Sequence, residues 1–99
     1  MYGPRDHGHW TGSRLELSHL FLKAGRRYRV LRDFTDFDGD VHVKGETWTF
    51  LGSSFLPYDD GLSLFVSLDG RREWQIRMQV RPEAQGPVLD RLSDYIADA

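Results

Sequence analysis

The sequence predicts a mainly β domain: a small antiparallel sheet, closed or nearly closed, with a short C-terminal helix. Two observations predict the sheet and a third the helix. From Arg26 to Val80 apolar and polar residues alternate in short runs, and glycine-bearing turns separate the runs. Strict alternation means one buried and one solvated face, as in antiparallel rather than parallel sheets. After Arg81-Pro82 the period changes, and Val88, Leu89, Leu92, Tyr95 and Ile96 recur at helical spacing.

Each element follows from its local pattern. Residues 1–13 hold three glycines, one proline and almost no aliphatic side chain. They read as a flexible leader, with Tyr2 and Trp10 available to dock onto the domain that spans 14–99. Leu17, Leu20 and Phe21 have helical spacing, but Gly25 allows at most a short turn there. Strand one, 26–34, puts Tyr28, Val30 and Phe34 on one face and Arg27 and Arg29 on the other. Arg32 falls on the apolar face, which requires a bulge or twist near the end. Gly39 closes the turn of TDFDGD, Val41 and Val43 flank His42 in a short extended piece, and Lys44-Gly45-Glu46 makes another turn. Strand two, from Glu46 to Leu51, sets Trp48 and Phe50 against Thr47 and Thr49. Strand three, 62–68, alternates Leu62, Leu64, Val66 and Leu68 with Ser63, Phe65 and Ser67. Asp69-Gly70 signals a hairpin into strand four, 73–80, where Trp74, Ile76, Met78 and Val80 alternate with Glu73, Gln75, Arg77 and Gln79. Pro87 suits the first turn of the closing helix, where a missing N–H costs nothing.

Four or five short strands, a long acidic first loop and the Lys44-Gly45-Glu46 turn resemble a small SH3-like barrel, here with a C-terminal amphipathic helix. More closely, the span from Leu20 to Tyr95 resembles a small bacterial family known only as a domain of unknown function. The resemblance rests on Gly25 with Tyr28 and Val30, on Asp36–Gly39 (DFDG), and on Gly45-Glu46 with Trp48 and Phe50. Phe55–Gly61 (FLPYDDG) and the segment Gln85 to Tyr95 complete it. It implies no activity, so function must be read from the residues themselves.

Composition narrows the classes. Ninety-nine residues make one domain with a modest core, and 6 Phe, 4 Tyr and 3 Trp supply the large buried areas a small domain needs. A formal net charge of −2 argues against a dedicated nucleic-acid binder. The absence of cysteine removes disulfides, thiol catalysis and cysteine zinc sites, and fits a reducing cytoplasm. No stretch is apolar for long enough to span a membrane as a helix, and the first residues lack a signal-peptide pattern. The expectation is a cytoplasmic protein.

No motif predicts catalysis or a cofactor. Counting an EF-hand from Asp36 brings Val41 to the glycine position and Thr47 to the glutamate position, so the acidic run reads as a turn. His7 and His9 lack further ligands, and His19 and His42 are isolated in sequence, although folding could bring either near a carboxylate. Ser53 and Ser54 have no elbow motif around them. The expectation is a protein that is not an enzyme and holds neither metal nor cofactor.

Two binding surfaces are legible. The favoured one is an aromatic and acidic loop surface for an unidentified protein or peptide: Phe55, Tyr58 and Phe65 with Asp36, Asp38, Asp59 and Asp60. The bland alternative folds Phe55 and Tyr58 back over the barrel and lays Phe65 under the C-terminal helix. The second surface is an arginine face of Arg27, Arg29 and Arg77 for single-stranded nucleic acid, provided that strands one and four are neighbours. An exposed strand edge would equally pair two copies of the chain, leaving monomer and weak dimer open.

Overall fold

The alternation foreseen from Arg26 to Val80 is realised in a computed structural model that describes residues 1–99. In chain order the elements are β1 (Tyr2–Arg5), β2 (Ser18–His19), β3 (Leu22–Lys23), β4 (Arg27–Val30), β5 (Phe34–Thr35) and β6 (Val41–His42). They continue with β7 (Thr47–Leu56), β8 (Gly61–Ser67), β9 (Glu73–Gln79), α1 (Gly86–Asp90), α2 (Leu92–Tyr95) and β10 (Ile96–Asp98). Six strands form one antiparallel sheet in the order β1-β9-β8-β7-β4-β10, and β2–β3 and β5–β6 are separate two-stranded ribbons. No helix is long and apolar enough to cross a membrane.

Side-chain period sets the register. Tyr28 and Val30 from β4, Trp48 and Phe50 from β7, Leu62, Leu64 and Val66 from β8, and Trp74, Ile76 and Met78 from β9 form one core. A one-residue slip in any of these strands would turn that set to water. The long strand β7 pairs with β4 through Thr47–Thr49 and with β8 along most of its length. Its register shifts between Phe50 and Gly52, a bulge that bends the strand.

The sheet stays open, so the closure expected of an SH3-like barrel does not form. β1 and β10 are its two edges and do not pair. Other elements cover the core where closing strands would have done so: Leu22 from β3, Phe34 from β5, Leu89 and Leu92 from α1 and α2, and Ile96 from β10. Burying those side chains removes the apolar surface that drives closure.

Three further expectations are corrected. Strand one ends at Val30, Arg32 lies in the turn that follows, and Phe34 belongs to the β5–β6 ribbon. The single closing helix is two short helices broken at Arg91, whose φ of −129° and ψ of 40° leave helical geometry. The chain then extends, and Ile96–Asp98 pairs with Tyr28–Val30. Strand pairing satisfies those backbone groups more completely than another half-turn of helix would.

The flexible leader is the third. Tyr2–Arg5 is an edge strand, with Tyr2 opposite Gln75 and Arg5 opposite Glu73. Residues 6–13 then cross the face of the sheet expected to be solvated. Trp10 lies on Phe65, with ring centroids 5.5 Å apart. Glu73, 1 % exposed, accepts N–H bonds from Gly8 (2.8 Å), Trp10 (2.9 Å) and Thr11 (3.1 Å), and the Thr11 hydroxyl also donates to it. Burial opposes the charge on Glu73, but these four donors outweigh it and lower its pKa to about 2.

Candidate interaction surface

The β7–β8 hairpin projects a tip whose apolar side chains are about half exposed or more. β7 ends in Phe55-Leu56, Pro57 ends the run of ladder donors, and Tyr58 stands at the turn. Phe55 is 49 %, Leu56 60 % and Tyr58 101 % exposed. Successive residues of a strand point to opposite faces, and here they face two different hollows. Phe55 borders one with Leu20, Val80 and Leu89, while Leu56 borders another with Phe37, Leu62 and Met78.

Polar bonds hold the tip in place. Asp60 occupies the left-handed region at φ 54°, and its carbonyl accepts from Val80 N–H at 2.8 Å. Its carboxylate accepts from Arg81 Nε at 3.1 Å. Asp59 Oδ1 accepts from Gly61 N–H at 3.1 Å, and Gln79 Nε2 donates to the Asp59 carbonyl at 3.2 Å. The aromatic and aliphatic groups therefore sit on a braced turn with two carboxylates beside them.

The seven residues expected in one contact surface separate into three places. Phe55, Tyr58, Asp59 and Asp60 share the tip. Phe65 is interior, but beneath Trp10 rather than under the C-terminal helix. Asp36 and Asp38 belong to the β5–β6 turn, where they bind the protein itself. Asp36 Oδ1 accepts from the N–H groups of Asp38 and Asp40, both at 3.0 Å, and its Oδ2 accepts from the Met1 amino group at 3.1 Å. Asp38 pairs with Arg77 and accepts from the Tyr2 hydroxyl at 3.2 Å. A surface that needs Phe65 and Asp36 exposed does not form.

The arginine face is also divided. β8 and β7 lie between β9 and β4, so Arg77 is roughly 14 Å across the sheet from Arg27 and Arg29 at ordinary strand spacing. Its guanidinium is bound to Asp38 and lies over the rings of Tyr2 (5.0 Å) and Phe37 (5.4 Å). Arg27 donates to Thr47 Oγ1 at 3.1 Å. Arg27 and Arg29 remain exposed neighbours on β4.

One polar cluster lay hidden in the sequence. His42 is 1 % exposed and bonds two carboxylates, Asp36 Oδ2 through Nε2 at 2.8 Å and Glu46 Oε2 through Nδ1 at 2.7 Å. Its ring stacks on Phe34, centroids 4.8 Å apart. Trp48 Nε1 donates to the same Glu46 oxygen at 3.2 Å. With both ring nitrogens occupied and no exposed edge, this imidazole braces the turn and has no free site for a substrate proton. The only signal in sequence was a histidine between two valines, and β6 turns His42 inward and leaves Val41 and Val43 exposed. Among candidate ion ligands, no three His, Asp or Glu side chains are grouped to hold a metal.

The fold and surface define a small open-sheet β domain with two short C-terminal helices and with Phe55, Leu56 and Tyr58 exposed on a hairpin tip. Residues 14–97 match the family described as a domain of unknown function, DUF3601, and the chain belongs to that family. It is also similar to a solved integron cassette protein from the mobile metagenome of Vibrio cholerae, at 40 % identity and a TM-score of 0.81. The match covers 86 % of this chain and 93 % of that one. No curated protein matches the chain. The family match begins at Arg14, after the segment that carries β1 and Trp10.

Proposed function

We propose that the domain is a non-enzymatic protein-interaction module that grips a protein or peptide with the tip of the β7–β8 hairpin. The observation that carries this reading is Tyr58, fully exposed beside Phe55 and Leu56 on a turn held by Asp59 and Asp60. Large apolar groups on a braced turn lose little conformational freedom on binding, and each contributes about 1.5–3 kcal/mol when fully buried. Asp59 and Asp60 form an acidic rim beside them, which favours partners with basic residues next to an apolar anchor.

The test compares wild type with a Leu56→Ser, Tyr58→Ser variant in affinity capture from bacterial lysate, followed by titration with the purified captured protein. Both side chains are exposed, so both proteins melt alike. Loss of binding by the variant, at least tenfold in Kd, supports the reading. Equal affinity of the two folded proteins overturns it.

A further inference from the structure

We propose that Arg32, Arg81 and Arg91 form a binding site for the phosphoryl group of a small phosphate ester, on the side of the domain formed by α1, α2 and the end of β9. The three come from separate parts of the chain: the turn after β4, the segment after β9, and the break between α1 and α2. Together with Val80, Pro82, Gly86, Pro87, Asp90 and Tyr95 they line one hollow of about 520 Å³. That volume is of the order of a small-molecule site.

Two of the three arginines in this hollow make no ion pair within the protein. Neither Arg32 nor Arg91 takes part in any of the ion pairs the chain makes, and Arg81 engages Asp60 through Nε, leaving its terminal nitrogens for another partner. Asp90, the one carboxylate in the lining, lies beyond ion-pair distance of all three. Gathering like charges around a hollow is unfavourable until an anion enters it. In a chain of net charge −2, carboxylates were available to pair with them, and the fold places those carboxylates elsewhere.

The frame is rigid, which is the second observation. Arg32 Cζ is held 5.9 Å over the Tyr95 ring. The Arg81 carbonyl accepts from the N–H groups of Ala84 (3.0 Å) and Gly86 (2.9 Å), closing the loop tightly on itself. A Cβ at Gly86 would lie 2.6 Å from that carbonyl oxygen, so only glycine lets the loop pack this way. Three arginines lining one hollow suit a tetrahedral group with three free oxygens better than a planar carboxylate, which offers two.

Pyrophosphate is the probe, titrated into the whole chain with Arg Nε–H resonances followed by NMR at constant ionic strength. The expected result is that Arg32, Arg81 and Arg91 move together on one saturable isotherm, with Arg27 and Arg29 unchanged. An Arg32→Gln, Arg91→Gln variant, changed only at exposed side chains, should then bind at least tenfold more weakly. A response that sodium chloride reproduces, or one that survives in the variant, overturns the site. Tighter binding of an oligothymidylate than of pyrophosphate overturns the small ester as occupant and assigns the site to a nucleic-acid backbone.

Discussion

His42 Nε2 lies 2.8 Å from Asp36 Oδ2 in the interior, and the opposite ring nitrogen of the same histidine is held by Glu46. Two ionised carboxylate acceptors favour two ring donors, which is the imidazolium form. Burial opposes its charge, but the bonds to Glu46 and Asp36 prevail and raise its pKa above 6.5. Burial likewise opposes the charge of Asp36, but the bonds from His42, the Met1 amino group and Asp40 N–H prevail and lower its pKa below 3.8.

The signs of these shifts predict a stability profile. The raised His42 contributes fully below pH 6.5 and its contribution is lost as pH rises through the folded value. The lowered Asp36 contributes fully above pH 3.8 and is lost as pH falls through its own folded value. Urea midpoints measured from pH 3 to 9 should therefore be highest between those limits. His42→Gln should flatten the alkaline limb and cost about 3 kcal/mol at pH 6, because it removes the His42 cation from the buried Asp36 carboxylate. An unchanged alkaline limb in that variant would show that His42 is not the group responsible.

Glu73→Gln should loosen the N-terminal segment without unfolding the sheet. An amide presents N–H groups to donors that now meet carboxylate oxygens, a loss of about 2 kcal/mol. Hydrogen exchange should quicken at Gly8, Trp10 and Thr11 and stay slow at Leu64 and Ile76. In wild type the stabilisation Glu73 gives this segment should weaken as pH falls from 4.5 towards about 2, because the detached carboxylate protonates near 4.5 and the bound one only near about 2.

Phe65→Ala and Tyr58→Ala should differ sharply in stability. Phe65 is packed beneath Trp10, so its truncation costs about 3 kcal/mol in denaturant unfolding. Tyr58 touches water on all sides, and its truncation stays within about 0.5 kcal/mol. Equal losses would place Tyr58 in the core.

Gly86→Ala should destabilise by about 2 kcal/mol, because the added Cβ meets a backbone carbonyl that cannot swing away as a side-chain end does. The melting temperature and the amide shifts of residues 81–90 report it. A neutral substitution would mean that the loop has room to move.

Legibility followed the range of the interactions. Strands β4, β7, β8 and β9 were readable because each buries every second side chain, and that period is written along the chain. Tip residues Phe55 and Tyr58 were readable because a proline and two aspartates bracket them. Phe65 and Glu73 were not, since both sit on the polar side of a clean alternation. They are buried by Trp10 and its neighbours, more than fifty residues away in sequence. Arg32 and Arg81 lie beyond the ends of β4 and β9, and nothing local shows that both line one hollow with Arg91.

The sequence by itself determined a mainly antiparallel β domain, the inward residues of its four main strands and the family to which it belongs. Those follow from local period and from motifs read within a few residues of each other. Tertiary structure alone decided that the sheet stays open, that the N-terminal segment becomes its edge, and that His42 is buried between Asp36 and Glu46. It also decided which arginines line one hollow. Each of these depends on which distant segment covers a given face, and a face's cover is set by the packing of the whole chain, where local patterning carries no information.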